Sequence, residues 1–375
     1  MARRRDAVHS LDIKQVRANW KIKSVIICGL IISGLVGILT NPNVSYVTNP
    51  KPEPDPEPEL DPEAEKIAHA LLSSLNKKTT TLSNPTQNCH FASIQGRRSY
   101  QEDRVTCDLD LNIPFFGPNS GGIEAVKVGA VAVFDGHIGS AASDMASRIF
   151  LDKFLLKNYG EQSSNFTEFL KSSLVDTIED IDVAFSKAAF EYHLYSGSTA
   201  VVALVYNNSK VLVANVGDSK AFICSASLAK ELTRDHNADR SDERARVEAS
   251  GGEFTPIYNA PDLLMGHFPM TRAIGDVPLK QYGIIATPEV TDWLQLTSKD
   301  EFLVVASDGI FDSLSPQKVC DFLNEAEGQH SDPSVLAQQL IQKAYLDGST
   351  DNLSVVLVPL AYSGGSAVDD LPTDI

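Results

Sequence analysis

Aspartates at the ends of apolar runs are the residues in this chain best placed to do chemistry. Val128 to Phe134 runs into Asp135, Gly136 and His137; Val211 to Val216 runs into Gly217 and Asp218; Phe302 to Ala306 runs into Ser307, Asp308 and Gly309. In the opposite sense, Asp351 and Asn352 open the run Leu353 to Leu360. Any one such end is an ordinary turn, because Gly, Asp and Asn accept the backbone conformations that turns need. Four in one chain carry more weight. Strands gathered in one or two sheets bring their end loops to a common edge, where several carboxylates repel unless something neutralises them. Hard divalent cations do so, and Mg²⁺ or Mn²⁺ takes oxygen ligands from carboxylates, carbonyls and water. A Gly beside the Asp suits the approach of a backbone carbonyl to such an ion.

The elements that must hold these residues are legible from the same pattern. Short continuous apolar runs ending at turn residues read as strands buried on at least one face. Thr199 to Tyr206 and Lys210 to Val216, joined by Asn207, Asn208 and Ser209, read as a β-hairpin and imply antiparallel pairing. Helical spacing occupies Ala141 to Asn158, Phe166 to Tyr192, and Gln317 to Asn324 followed by Pro333 to Asp347. The expected fold is α+β: two packed, mainly antiparallel β-sheets flanked by antiparallel helix pairs, an α-β-β-α sandwich.

Composition narrows the possibilities. The 375 residues include 49 acidic and 32 basic side chains, a net charge of -17. Nucleic-acid backbone binding needs a cationic face to displace counterions, so no nucleic-acid partner is expected. The five cysteines, Cys28, Cys89, Cys107, Cys224 and Cys320, show no C-x-x-C spacing, so neither a disulfide framework nor a structural zinc site is indicated. None has an Arg six positions on, which excludes a Cys nucleophile followed by a phosphate-cradling loop.

The charge is unevenly spread. Residues 1–23 form a basic head, with seven Lys and Arg against Asp6 and Asp12. Residues 24–40 come next as an apolar segment, whose uncharged core from Ser24 to Leu39 would rise about 24 Å as a helix against a bilayer core of about 30 Å. Trp20, Ile22 and the stems of Lys21 and Lys23 extend it, and a single transmembrane helix is expected; a cleaved secretory segment is the alternative, although no A-x-A-like site lies beyond it. Residues 41–87 read as an extended Pro/acidic linker with a short amphipathic helix at 64–78, and 361–375 as a disordered acidic tail. The catalytic portion is expected over 88–360 as a monomeric domain. The basic head places the N-terminus in the cytoplasm and the rest of the chain across the membrane.

Between these limits, ASIQGRRSYQED at 92–103, FDGH at 134–137, SGSTA at 196–200, VGDSK at 216–220, RAIGD at 272–276, ASDGIFD at 306–312 and STDNLSVVLV at 349–358 occur in order. This set resembles the type 2C metal-dependent serine/threonine protein phosphatases over roughly 88–360, and ERARVEASGGEF and TPEVTDWLQLTSKDEF are similar to plant members in particular. The resemblance implies hydrolysis of phosphoserine and phosphothreonine in a phosphorylated protein substrate, by a hydroxide bridging two Mg²⁺ or Mn²⁺ ions. Asp135 would bridge the ions, the Gly136 carbonyl would bind one, and Asp308 and Asp351 would complete the other. Glu102 would act through metal-bound water with Asp103 supporting that shell, and Asp218 and Asp312 match positions of a weaker third metal. Arg98 falls at the phosphate-binding position and His137 at that of the proposed general acid. His236, Ser198, Thr199, Arg272, Gly275 and Asp276 are assigned to turns and packing.

There are departures. Ile138 stands where the family has a second Gly after DGH, Lys220 replaces Arg after GDS, Asn237 and Ala238 replace Lys-Pro, and 253–270 lacks the usual Trp and Arg-Val of the flap. A membrane-tethered pseudophosphatase that binds a phosphoprotein or receptor without turnover is the alternative that these changes keep open; a small-phosphoester hydrolase is a third. The family's ordinary substrates are cytosolic or nuclear, which conflicts with the polarity of the basic head. Sequons at Asn43, Asn165, Asn207 and Asn352 bear on the same question.

Overall fold

The central strands are apolar on both faces because each face meets a different layer. In β3 (Ile123–Phe134), Val128, Ala130, Ala132 and Phe134 face one hydrophobic cluster while Val131 and Val133 face another. The same split runs through β6 (Ala200–Tyr206), with Val202 and Leu204 on one side and Val201 and Ala203 on the other. This is why the runs lack polar alternation: a strand at the centre of a four-layer stack has no solvent face.

The computed structural model describes residues 89–116, 123–158, 165–257, 260–327 and 332–360. The expected basic head, apolar span, linker, 64–78 helix and acidic tail lie outside the described residues. Among the described residues no helix is long and apolar enough to cross a membrane.

One sheet pairs β2 (Arg104–Phe116), β3, β6 and β7 (Lys210–Val216) in the order β7-β6-β3-β2, with the short strands β13 (Glu289–Val290) and β14 (Leu294–Gln295) on the outer edge of β7. The other runs β1-β16-β15-β8-β9, formed by His90–Ile94, Leu353–Pro359, Asp300–Ala306, Lys220–Ser225 and Leu228–Glu231. Every ladder in both sheets is antiparallel. Their facing sides share a core that includes Val131, Val201, Val213, Ile223, Val305 and Val356.

Helices close both outer faces. On the first sheet, α1 (Ala141–Asn158) and α2 (Phe166–Tyr192) bury Phe150, Phe154, Leu174 and Ile178 against Phe134 and Leu204. Two short helices, α3 (Ser241–Ala249) and α4 (Asp308–Phe311), follow in the chain, and on the second sheet α5 (Pro316–Glu327) and α6 (Pro333–Leu346) bury Leu323 and Leu340 against Val304 and Leu357. Start signals fit the chemistry of helix ends: Asn165 accepts from the Glu168 amide, and Asp332 accepts from the Ser334 amide beside Pro333. The architecture is the α-β-β-α sandwich.

The β6–β7 hairpin turns through Asn207 and Asn208, at φ 47° and 50°, with the Ser209 amide donating to Tyr206 O at 3.0 Å. Two left-handed central residues make a type I′ turn, whose twist matches the flanking strands, and Asn tolerates the conformation.

The expectation about cysteines is overturned. Cys89 is bonded to Cys107, and Cys224 to Cys320, joining the residue just before β1 to β2 and β8 to α5. Sequence separations of 18 and 96 residues carry no spacing signal; the pairs arise because the fold brings their Cα atoms to 6.0 and 5.3 Å.

Candidate functional site

Strand register collects the candidate aspartates at one edge of the sandwich. Arg104 pairs with Phe134, so Glu102 and Asp103 lie beside Asp135. Ala200 pairs with Val216, which sets Thr199 beside the Gly217–Asp218 turn. In the other sheet Ala306 pairs with Lys220 and with Val355, and Leu353 pairs with Ile94, so Asp308, Asp351 and the Gly96–Arg98 loop arrive at the same edge. A small third sheet, β4 (Gly136–His137), β5 (Gly197–Ser198) and β12 (Ile274–Gly275), lies across it.

The loops are fixed by hydrogen bonds to small polar residues. The Asp135 amide donates to Thr199 Oγ1 at 3.0 Å while the Thr199 amide donates to Asp135 O at 2.8 Å, and Ser219 Oγ lies 2.8 Å from Thr199 Oγ1. Ser307 Oγ donates to Asp103 Oδ2 at 2.8 Å and accepts from the Ser354 amide. Asn352 holds the 95–102 loop: its Nδ2 donates to Gln95 O and Tyr100 O at 2.7 and 2.8 Å, and its Oδ1 accepts from the Glu102 amide at 2.8 Å. Glu102 Oε1 accepts from the Gly139 amide at 2.5 Å. A Cβ on Gly136 would stand 2.6 Å from Glu102 O and from Ser143 Oγ, so the chain can pass there only as glycine.

Electrostatically these carboxylates are in conflict. Burial raises the pKa of Asp135 well above the carboxylate range, and Asp103, Asp308 and Asp218 add repulsion. Burial pushes Asp308 up to about 6, with Asp351, Asp103 and Asp312 contributing, and Asp218 up to about 7, with Asp308 and Asp235 contributing. Asp103 is raised by burial as well, and its Oδ1 is buried without a hydrogen-bond partner. Among the described residues no three His, Cys, Asp or Glu side chains stand as a ready-made ion cage. Arg98 Nη2 donates to Asp351 Oδ2 at 2.5 Å. Buried carboxylates crowded together, one with an orphaned oxygen, are the donor set that a hard cation relieves.

The cationic groups divide into two kinds. Arg97 is committed to structure, donating to Ser349 O and Tyr345 O and stacking on the Tyr345 ring at 4.5 Å. Arg98 is exposed and reaches the edge only through Asp351. His137 Nε2 lies 2.8 Å from Asp276 Oδ2 and its ring packs edge-on against Phe268. Burial pulls the His137 pKa down, but Asp276 beside it, with Asp218 and Glu102, more than offsets this and the net shift is upward.

Arg98, Asp103, Asp135, His137, Asp218, Asp308 and Asp351 thus come together; Glu102 sits towards Gly139 and His137, and Asp312 is exposed at the rim, accepting from the Thr350 amide at 3.4 Å. Two residues with roles here escape sequence reasoning. Asp276, assigned to a turn, is 2% exposed and is the partner of His137. Asn352, the head of a sequon, anchors the loop bearing Arg98 and Glu102. Their motifs, RAIGD and TDN, are visible, but neither shows which distant group it meets. His236 is buried, with Nδ1 accepting from the Gly217 amide at 3.2 Å and Nε2 3.3 Å from a Glu289 oxygen without hydrogen-bond alignment. Lys220 pairs with Asp235 beside the Phe311 ring.

Known proteins resemble this chain over the described region. A family profile described as "Protein phosphatase 2C" matches residues 88–353. The Arabidopsis thaliana "Probable protein phosphatase 2C 51" is 36% identical over 72% of this chain and 71% of its own length. The rice (Oryza sativa subsp. japonica) "Probable protein phosphatase 2C 59" is 33% identical over 72% and 74%. Among solved structures, a C. elegans sex-determining protein superposes with a TM-score of 0.63 at 26% identity, covering 79% of this chain and 72% of that one. A Toxoplasma gondii serine-threonine phosphatase 2C does so at 0.58 and 21%, covering 73% and 94%.

Proposed function

The chain belongs to the protein phosphatase 2C family, and from that premise we propose that it is a Mg²⁺- or Mn²⁺-dependent phosphatase of phosphoserine and phosphothreonine in proteins, tethered to a membrane by residues 24–40. The observation that carries the reading is the convergence of buried, mutually repelling carboxylates from separate loops on one sheet edge, with an exposed Arg fork and a proton-holding His beside them.

Asp135, the Gly136 carbonyl, Asp308 and Asp351 would hold two divalent ions, with Glu102 and Asp103 supporting that shell and Asp218 and Asp312 serving a weaker third. Such ions, when bound, supply positive charge against the phosphate and acidify water. Arg98 presents a planar fork that can leave Asp351 for two phosphate oxygens, a geometry that Lys does not reproduce. Its backbone is set by Gln95 Nε2, which donates to Arg98 O at 2.8 Å. The departing seryl or threonyl oxygen is a strong base, and His137 holds a proton for it, with Asp276 fixing the ring. The four described cysteines are all in disulfides, so no thiol nucleophile is available among the described residues.

The test is phosphate release from phosphoserine and phosphothreonine peptides by the purified chain at millimolar Mn²⁺. Activity abolished by EDTA and lowered more than about 100-fold by Asp308→Asn is expected. A folded chain that binds phosphopeptide without turnover would sink the catalytic reading and leave the pseudophosphatase; a strong preference for small phosphoesters would move the substrate class.

A further inference from the structure

We propose that this phosphatase domain resides in an oxidising, glycosylating compartment, with Asn207 as an N-glycan acceptor and Asn165 as a second. The proposal is independent of how the catalytic edge works.

Two structural facts carry it. The first is the complete pairing of the described cysteines, Cys89 with Cys107 and Cys224 with Cys320. Such bridges form and persist on the secretory side of a membrane and are reduced in cytosol. The Cys224–Cys320 bridge is fully buried in the core between the second sheet and α5, which suits a structural link rather than an exchangeable thiol pair.

The second is the placement of the Asn-X-Ser/Thr triplets, which are glycan acceptors only in that compartment. Among the described residues they begin at Asn165, Asn207 and Asn352. Asn352 is 4% exposed and its amide group donates to two backbone carbonyls, so it is closed to modification. Its closure therefore protects the aspartate edge and does not argue against the compartment. Asn207 is exposed at the tip of the β6–β7 turn, at the end of β6 away from Ala200 and the aspartates. Asn165 is exposed at the start of α2. Trp293 links the two regions: its Nε1 donates to Thr167 O at 3.0 Å and its ring packs edge-on to Tyr206 at 5.8 Å. Both accessible triplets thus share the end of the sandwich remote from the substrate, where a bulky sugar leaves the cleft clear.

The charge order of the chain points the same way, since a basic head before the apolar run directs the downstream chain across the membrane. The substrates would then be phosphoproteins exposed on that side, and the kinase reaction that supplies them must run there too.

The experiment expresses the full chain in eukaryotic cells and measures its gel mobility with and without an endoglycosidase that removes N-glycans. A mobility step is expected that Asn207→Asp and Ser209→Ala each shorten by one glycan and that Asn165→Asp shortens by a second; Asp keeps the tolerance for positive φ at 207, and Ser209→Ala leaves Asn207 in place. In the same extract, denatured without reductant, a maleimide should leave Cys89, Cys107, Cys224 and Cys320 unlabelled until reductant is added. Mobility insensitive to the endoglycosidase, or labelling of those four without reductant, overturns the proposal. Neither readout involves phosphate release, so failure here is distinct from failure of the phosphatase reading.

Discussion

Two side chains at the edge of the cleft make opposite kinds of commitment. Asp276 spends a nearly inaccessible carboxylate on His137, holding Nε2 at 2.8 Å. Asp276→Asn keeps the shape but removes the charge that orients and protonates the ring. We expect kcat to fall about 10- to 100-fold with KM little changed, as for weakening of a general acid. Steady-state kinetics check this; a raised KM at constant kcat would mean that Asp276 only shapes the pocket. Ile138, one position on from His137, adopts φ 55° and is 67% exposed, so its side chain gains little from packing while its backbone is strained. A left-handed conformation costs an ordinary residue roughly 1–2 kcal/mol, and Gly returns part of that as unfolded-chain entropy. Ile138→Gly should therefore stabilise the domain by about 0.5–1 kcal/mol, a rise of about 2 °C in Tm by thermal melting. An unchanged or lower Tm would show that Ile138 makes contacts that repay the strain.

At the scale of elements, what the sequence disclosed and what it hid depend on distance along the chain. Helices α1, α2, α5 and α6 and the β6–β7 hairpin were legible because amphipathic spacing and Asn-rich turns are local signals. The carboxylate edge was legible because each Asp terminates its own strand. The disulfides, the His137–Asp276 pair and the three bonds of Asn352 were not, because each joins residues that only the sheet register brings together. Also hidden was α3 (Ser241–Ala249), a weakly amphipathic helix held by charge: buried Glu243 accepts from Arg246 and Arg272 on two sides and from Thr271 Oγ1. Beside it His236 faces Arg272, Arg240, Glu243 and Glu289, and burial with Arg272 lowers its pKa from 6.5 to about 4. A histidine depressed in the fold binds protons first in the unfolded chain, so its contribution is complete above pH 6.5 and is lost as pH falls towards 4. Glu243, depressed by its Arg partners despite burial, adds a further loss below pH 4.5. Over the same range Asp218 and Asp308, raised to about 7 and about 6, take up protons first in the fold and so work in the opposite sense, which makes the difference between variants the readout. Denaturation from pH 7 to 4 should show His236→Gln gaining up to about 3 kcal/mol on the unaltered chain as pH falls from 6.5 to 4.5; a constant difference between the two would mean that His236 does not carry this acid sensitivity.

For the molecule as a whole, the net charge of -17 is less a statement about solubility than about what the fold leaves uncompensated. Surface acids are hydrated and cost little, but Asp103, Asp135, Asp218 and Asp308 are raised by burial before repulsion is counted, and Asp103 keeps an unpartnered oxygen. The two sheets meet at that edge: Asp103 and Asp135 come from the ends of β2 and β3, Asp308 and Asp351 from the ends of β15 and β16. Repulsion there pushes the layers of the sandwich apart, and a cation shared between them would tie them together. Divalent ions should therefore stabilise the whole fold, not only enable turnover. A ligand present at 100 times its Kd adds about 2.7 kcal/mol to a folded state that alone binds it. Thermal melts in Mg²⁺ or Mn²⁺ against EDTA should show the higher Tm with metal, and Asp308→Asn should narrow that difference because one ion loses a ligand. Equal Tm values for the unaltered chain with metal and with EDTA would mean that the carboxylates are relieved by protons and Arg98 alone. This measurement needs no substrate, so it weighs the cation's part in holding the sandwich separately from the catalytic part proposed for it.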